Sequence, residues 1–278
     1  MSPLIEIEEL RSEKGPIILI DARAGADARQ RYDAGHLKDA QFADLDKDLA
    51  LLPENAANGG RHPLPLIESF SKKLGEWGIT PESHVIVYDD KAAAFGGARL
   101  WWMLRAIGHK KVQVLNGGLK AAVDAGIPLS TEPYTVPAVV PYSVPAGFAG
   151  TVDIEETGKA AKDDHKMVID VRETPRYLGQ MEPIDLIAGH IPGAENLPYT
   201  LNLDANGKYK SPEELKTAYV KLLGDVKPDD VIVHCGSGVT ACHTLLGMDY
   251  AGITGSKMYV GSWSEWSRRD LPVATDQK

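Results

Sequence analysis

The chain has 278 residues, a length typical of two compact domains rather than one. Its 30 Lys and Arg residues against 39 Asp and Glu residues give a formal net charge of -9, which disfavours binding to nucleic acid or to anionic membrane surfaces. No apolar run approaches the ~20 residues that a transmembrane helix needs. We therefore expect a soluble protein with neither nucleic-acid nor membrane partners.

The amino terminus, residues 1–9, is acidic and lacks the basic and apolar regions of a secretory signal, so we expect a cytoplasmic protein. The sequence contains two cysteines, Cys235 and Cys242. If both lie on one helix, their spacing puts them about 10 Å apart, which is beyond the reach of a disulfide. Two isolated thiols also do not form a zinc site of the paired-cysteine kind, so we expect no metal.

Four short motifs of the first half recur in the second half in the same order. The motifs correspond in pairs: 17–23 with 167–172, 35–40 with 189–194, 85–89 with 231–235, and 115–118 with 259–262. Asp21 and Arg23 thereby correspond to Asp170 and Arg172, and Asp89 corresponds to Cys235. The repeat indicates a tandem duplication.

Each half alternates short β-branched runs with amphipathic stretches such as residues 98–108 and 212–224, a pattern typical of α/β domains with a mostly parallel sheet flanked by helices. Between the halves, five prolines in residues 128–150 resist helix formation and favour an extended connector. We predict one domain over residues 1–130, a linker over 131–150 and a second domain over 151–278.

Residues 231–242 are predicted to form a buried strand, a glycine-containing loop and a helix that opens near Thr240. Such a loop turns backbone N–H groups toward Cys235, and the helix adds its positive end, so the loop is suited to hold an anion. Gly236 and Gly238 permit the close backbone approach that this requires, and they favour a functional cysteine over a buried structural one. A cysteine phosphatase needs an arginine six or seven residues after its nucleophile, where this chain has Ala241 and Cys242.

The loop from Cys235 to Ala241 closely resembles the active-site loop of 3-mercaptopyruvate sulfurtransferases, members of the rhodanese superfamily. Thiosulfate sulfurtransferases of the same superfamily typically carry basic residues at the second and third loop positions. Residues 170–172, 189–194 and 260–263 resemble further signatures of the superfamily. The resemblance implies two tandem rhodanese-like domains, a persulfide on Cys235 without any cofactor, and a noncatalytic first domain because Asp89 cannot carry a persulfide.

The resemblance also implies which residues bind the sulfur donor. Arg176 matches the arginine that grips the anionic end of the donor, although a solvated surface arginine is the ordinary alternative. Ile184 stands where mercaptopyruvate enzymes usually have a second arginine, so the preferred donor is left open. The loop residues predicted to contact the donor are Gly236, Gly238, Val239 and Thr240.

A Ser-His-Asp relay described for this family matches Ser237, His62 and Asp46. A histidine near a thiol shuttles protons at neutral pH, and an aspartate orients its ring. The ordinary alternatives are a solvated charge for Asp46, which lies among other acidic residues, and a loop-capping role for His62.

The function that we predict is ping-pong transfer of a sulfane sulfur from 3-mercaptopyruvate or thiosulfate, through Cys235, to a thiol or cyanide acceptor. A thioredoxin-like protein is one expected form of the thiol acceptor. The alternatives are a persulfide carrier that receives sulfur from a partner protein and, less favoured, a cysteine phosphatase.

Overall fold

The β-branched runs form two five-stranded sheets, one in each of two structural units of the computed structural model, which describes residues 1–275. In the first unit the strands are β1 (Leu4–Ile5), β2 (Ile17–Asp21), β3 (His36–Leu37), β4 (Ala40–Phe42), β5 (His84–Tyr88), β6 (Val112–Leu115) and β7 (Leu129–Ser130), and the helices are α1 (Ile7–Ser12), α2 (Ala28–Ala34), α3 (Leu45–Asp48), α4 (Ile67–Glu76), α5 (Gly96–Ala106) and α6 (Gly118–Asp124).

The second unit repeats this alternation of strands and helices. Its strands are β8 (Thr151–Val152), β9 (Met167–Asp170), β10 (Glu195–Asn196), β11 (Val231–His234) and β12 (Lys257–Tyr259), its helices are α7 (Ile154–Ala160), α8 (Thr174–Tyr177), α9 (Pro212–Leu223), α10 (Ala241–Tyr250) and α11 (Ser262–Trp266), and 3₁₀ turns cover Tyr199–Asn202 and Pro228–Asp230.

The two sheets have equivalent strand orders, β1-β6-β5-β2-β4 in the first unit and β8-β12-β11-β9-β10 in the second. Every pairing within them is parallel, while β3 and β7 form a separate antiparallel pair. The predicted α/β class with two mostly parallel sheets is therefore confirmed. The central strand β11 is buried along its whole length, as its apolar run predicts for a parallel strand covered on both faces.

The units are not continuous in sequence, which differs from the predicted boundaries. The first unit comprises Met1–Leu51, Pro65–Ala149 and Ala205–Tyr209, whereas Leu52–Leu64, Gly150–Asp204 and the residues from Lys210 onward form the second. The physical reason is hydrogen bonding across long stretches of chain: the N–H of Arg61 donates to Ser264 Oγ at 3.0 Å.

The proline-rich segment contains neither helix nor strand after β7, as its composition predicts, but it packs on the first unit rather than standing apart. The N–H of Val139 donates to the carbonyl of Gly75 at 2.9 Å, and Tyr142 is buried. Among residues 1–275, every helix is too short or too polar to span a bilayer.

A buried ion pair ends the strand β2 in the first unit and the strand β9 in the second. Arg23 Nε donates to Asp21 Oδ1 at 2.9 Å, and its Nη2 donates to the carbonyl of Gly35 at 3.0 Å. Arg172 makes the same bonds, to Asp170 at 3.0 Å and to the carbonyl of Gly189 at 2.6 Å. Because the pair recurs in both units, its role is to hold the fold.

The repeated histidines pack in the same way in both units. His36 stacks on Tyr32 with ring centroids 3.9 Å apart, and His190 stacks on Tyr177 at 3.6 Å. Each ring also bonds the carbonyl of its tyrosine through Nδ1 at 2.8 Å. These contacts give both histidines a structural role.

Replacing Arg23 with Met should lower the free energy of unfolding by about 3–5 kcal/mol, because the change leaves the Asp21 carboxylate buried without its cation. Urea denaturation followed by tryptophan fluorescence measures this loss. The control is Lys120→Met, which removes the same charge from an exposed pair with Asp124 and should change stability by less than about 0.5 kcal/mol. Equal losses in the two variants would show that the buried pair does not hold the first unit.

Candidate active site

Cys235 lies at the carboxyl end of the central strand β11, the edge at which open parallel sheets bind their ligands. Cys235 is only 2% exposed. The N–H of Cys235 donates to Ser262 Oγ at 3.2 Å, and its carbonyl accepts from the N–H of Trp263 at 3.0 Å. The start of α11 thus fixes the position of the cysteine backbone.

Gly238 is the residue that lets the loop turn from β11 into α10. Its φ of +72° lies in the left-handed region, and a Cβ built on it would lie 2.4 Å from the carbonyl oxygen of Val260. Val239 is buried next to it, and Thr240 directly precedes α10 without a side-chain capping bond. The glycine that the sequence analysis placed in the loop is therefore required by backbone conformation and by space.

The equivalent loop of the first unit shows what this turn does with its N–H groups. Asp89 follows β5 as Cys235 follows β11, and its carboxylate accepts hydrogen bonds from the N–H groups of Lys91, Ala93, Phe95 and Gly97 at 2.8–3.3 Å. Burial raises the pKa of Asp89, and these four donors offset part of that rise. A loop of this kind gathers N–H groups around the side chain that follows the strand.

Cys242 sits on α10 with its side chain in the core. It is fully buried, its Sγ lies 3.4 Å from Met258 Sδ, and it donates to the carbonyl of Gly238 at 3.5 Å. Both cysteines are free thiols. Within residues 1–275, no group of three or more His, Cys, Asp or Glu side chains is arranged to hold a metal ion. Cys235 is therefore the candidate nucleophile of the chain.

Arg176, which the sequence places at the donor, lies on α8 and is buried rather than solvated. Its Nη2 donates to Glu182 Oε1 at 2.7 Å and to Asp185 Oδ2 at 3.4 Å. Burial by itself would lower the pKa of Arg176, but the hydrogen bond and charge of Glu182 raise it above its ordinary value. Burial by itself would raise the pKa of Glu182, but the hydrogen bond and charge of Arg176 and the N–H groups of Ile184 and Asp185 together lower it.

Arg61 is a candidate site residue that the sequence analysis did not single out. Its Nε donates to Asp185 Oδ1 at 2.9 Å. A Cβ built on Gly236 would lie 3.0 Å from Arg61 Nη2 and 3.6 Å from Arg176 Nη2, so both guanidinium groups lie beside the residue that follows Cys235. Two signals pointed to Arg61: it immediately precedes His62, and an arginine is missing at Ile184, whose side chain is exposed.

Two members of the predicted relay are in contact. His62 Nδ1 lies 2.8 Å from Ser237 Oγ, and Ser237 is buried in the cysteine loop. Asp46 belongs to α3 of the first unit, where its N–H donates to Asp44 Oδ1 at 3.0 Å. The role of Asp46 in the relay stays a prediction.

His234, the residue before Cys235, is a second feature that the sequence analysis passed over. It is fully buried, its Nδ1 lies 3.2 Å from the carbonyl oxygen of Cys235, and its Nε2 lies 3.8 Å from Asp170 Oδ2. Burial lowers the pKa of His234, so the ring is neutral at neutral pH. The ring lies between the cysteine backbone and the buried Asp170, but at 3.8 Å its Nε2 makes no hydrogen bond to that carboxylate.

Comparisons with known proteins agree with these features. A family model described as "Rhodanese-like domain" matches residues 6–125 and 154–269. The "Probable 3-mercaptopyruvate sulfurtransferase" of Pseudomonas aeruginosa is 39% identical over 88% of this chain and 86% of its own length. The "Thiosulfate sulfurtransferase" of Mus musculus is 35% identical over 88% of this chain and 82% of its own length. The solved structure of "3-mercaptopyruvate sulfurtransferase from Leishmania major" is similar with a TM-score of 0.84 and 31% identity over 97% of this chain and 75% of that chain.

Replacing Gly238 with Ala should destabilise the protein more than the same change at Gly252. Both glycines have a left-handed backbone, with φ of +72° and +76°, but a Cβ at Gly252 would meet nothing within 4 Å. Gly252→Ala should therefore cost about 1–2 kcal/mol for conformation alone. Gly238→Ala adds overpacking of about 1–3 kcal/mol against Val260. The comparison is made by urea denaturation, and equal costs would mean that the loop has room to shift.

Proposed function

Because this chain belongs to the family of rhodanese-like domain proteins, we propose that it is a sulfurtransferase in which Cys235 carries sulfur as a persulfide. The observation that carries the proposal is the position of Cys235. It is a thiol at the carboxyl end of β11, in a glycine loop whose next residue lies beside two guanidinium groups. The same loop in the first unit holds a carboxylate in a ring of N–H groups, which supports an anion-holding role for this turn.

The proposed reaction has two displacement steps. In the first, the Cys235 thiolate attacks the transferable sulfur of the donor, forming an S–S bond as the bond between that sulfur and the rest of the donor breaks. The electron pair leaves with the desulfurised product, which is the enolate of pyruvate from 3-mercaptopyruvate or sulfite from thiosulfate. In the second, an acceptor thiolate or cyanide takes the outer sulfur and restores the Cys235 thiolate. The electrons balance without a cofactor, and we propose that none is used.

We propose that Arg61 and Arg176 bind the anionic end of the donor. Their positions beside Gly236 place two cations next to the nucleophile. Together with Arg268, they form ion pairs with the buried carboxylates of Glu182 and Asp185 and with the half-exposed Glu173. Paired guanidinium groups bind carboxylate and sulfonate oxygens through charge-assisted hydrogen bonds. Arg61 would thus supply the second cation that Ile184 does not.

The donor that the site favours is 3-mercaptopyruvate. The loop from Cys235 to Thr240 contains no basic residue, which sets it apart from the loop typical of thiosulfate enzymes. The pyruvate enolate that leaves needs a proton, and the 2.8 Å contact of His62 with Ser237 provides a route for one. Asp46 is included in the proposed relay on the strength of the family resemblance alone.

We propose a thiol or cyanide as the acceptor, with a thioredoxin-like protein as one form of the thiol. The first unit is proposed to be noncatalytic, because Asp89 fills the position of the nucleophile with a carboxylate that cannot hold a persulfide. We propose the cytoplasm as the location, since a working thiol must stay reduced and both cysteines are free.

Replacing Cys235 with Ser should abolish sulfur transfer from either donor, because a serine oxygen does not form a persulfide. Pyruvate or sulfite release with cyanide as the acceptor measures the transfer, and intact-mass spectrometry measures the persulfide. The wild-type chain should gain one sulfur atom on a peptide that contains Cys235. The control, Cys242→Ser, should keep most of the activity because that side chain packs in the core. Full activity in Cys235→Ser would place the nucleophile elsewhere. A wild-type chain that gains the persulfide but does not release product over repeated cycles would instead be a carrier.

Replacing Ser237 with Ala should separate the two donors. We expect kcat with 3-mercaptopyruvate to fall by about 10²-fold or more, because the enolate loses its route to a proton. With thiosulfate the same variant should stay within about threefold of wild type, since sulfite leaves without needing that proton. Steady-state kinetics of one protein preparation with both donors makes this comparison. Equal losses with both donors would assign Ser237 to the loop structure rather than to proton transfer.

A further inference from the structure

Asp185 is a buried carboxylate at the place where the proposed donor should put its own negative charge. We propose that Asp185 is an internal anion that occupies the donor site in the absence of donor, and that the donor binds by exchanging with it. This inference rests on the proposed function: Asp185 would keep the donor site closed, and the donor would open it.

Three guanidinium groups converge on the Asp185 side chain, which has no exposed surface. Arg61 Nε donates to its Oδ1 at 2.9 Å, Arg268 Nη1 donates to the same oxygen at 3.2 Å, and Arg176 Nη2 donates to its Oδ2 at 3.4 Å. A single carboxylate in this arrangement makes the contacts that a bound anion would make.

The carboxylate is next to the cysteine loop. A Cβ built on Gly236 would lie 3.6 Å from Asp185 Oδ2, at about the same distance as from Arg176 Nη2. Cys235 itself is 2% exposed, so a donor reaches its sulfur only if part of the surrounding structure moves. Departure of Asp185 would release Arg61 from its ion pair, remove one of the carboxylates at Arg176 and open space beside the nucleophile.

Exchange of one anion for another keeps the charge of the site constant. If Asp185 left without a replacement, three guanidinium groups would lose a shared buried partner, which is unfavourable. An incoming carboxylate or sulfonate restores those hydrogen bonds. The donor therefore stabilises the open arrangement, whereas a neutral molecule of the same size does not, and this selects for anions.

The segment that carries Asp185 is an irregular loop whose two ends lie close together. Residues 180–188 contain neither helix nor strand, and they lie between Gly179 and Gly189, whose φ angles are +74° and +123°. Both glycines donate to the carbonyl of Arg176, at 3.2 and 3.1 Å, so the ends of the segment are anchored close together. Compact loops with adjacent ends are frequently functional, and we propose that residues 183–188 of this one move when the donor binds.

After Glu182, residues 183–188 have few ties to the body of the unit. Their apolar side chains point outward, with Ile184 54% and Leu186 65% exposed. One bond to the body comes from Trp263 Nε1, which donates to the carbonyl of Ile187 at 2.8 Å. Glu182 is held separately by Arg172 and Arg176. In residues 183–188 the buried anchor is the Asp185 carboxylate, which is the group that the donor would replace.

The first test uses inorganic sulfate as a probe, because it is an anion that gives up no sulfur to the enzyme. Isothermal titration of the full chain at low ionic strength should show sulfate binding to Asp185→Asn at least tenfold more tightly than to wild type. Asparagine keeps the size of the side chain and removes the competing charge. The control Asp164→Asn makes the same change of net charge at an exposed position and should bind sulfate as wild type does. Adding Arg61→Gln to Asp185→Asn should abolish the gain.

Either of two results would overturn the inference: no tighter binding in folded Asp185→Asn, or a gain that survives the loss of Arg61. A second measurement on the wild-type chain keeps the test independent of whether the variant folds. Saturating sulfate should speed amide hydrogen exchange in residues 183–188, because sulfate displaces Asp185 and releases these residues from the buried site. Slower or unchanged exchange there would mean that Asp185 stays in place as a structural brace. Neither sulfate assay depends on sulfur transfer. If the Asp185 inference fails, the Cys235 assays still test the proposed function, and if the chain proves inactive, the sulfate assays still test Asp185.

Discussion

The buried pair of Asp170 and Arg172 is the interaction on which the second unit depends. It closes the end of β9, and Arg172 extends from it to the carbonyl of Gly189 and to Glu182, which in turn orients Arg176. Burial by itself would raise the pKa of Asp170, but the charge and the hydrogen bonds of Arg172 together hold it below the usual range, so the pair is ionised at neutral pH. A buried pair of this kind stabilises little by comparison with apolar packing, but its geometry is demanding. That geometry places the backbone and the cations around the cysteine loop.

The two units show how one scaffold is used for different ends. Strand order, the buried Asp-Arg pair and the stacked Tyr-His pair are the same in both. They differ at the residue after the central strand, which is Asp89 in one unit and Cys235 in the other. With Asp89 the N–H groups of the loop are already satisfied by the protein's own carboxylate. With Cys235 the loop holds a thiol, and the family to which the chain belongs makes that thiol the centre of the proposed chemistry.

Electrostatics rather than apolar burial distinguishes the surroundings of Cys235. Arginine side chains from three separate stretches of chain meet the carboxylates of Glu173, Glu182 and Asp185 there. In a partly buried setting such charges interact more strongly than at a surface, so an anion of matching geometry is favoured over a neutral molecule. The proposed roles of Arg61 and Asp185 follow from the same ion pairs: one supplies a cation to the donor, and the other occupies that cation until the donor arrives.

The sequence by itself determined the α/β class, the duplication and the candidate nucleophile, because these depend on local periodicity, on repeated motifs and on the glycines around Cys235. It also indicated Ser237, His62 and Arg176, through motifs that resemble a known family. The tertiary structure alone showed that Arg61 joins them, that Leu52–Leu64 belongs to the second unit, and that Arg176 is already paired with carboxylates. The physical reason is distance along the chain. Arg61 and Asp185 are 124 positions apart and His62 and Ser237 are 175 apart, so no local pattern records their contact.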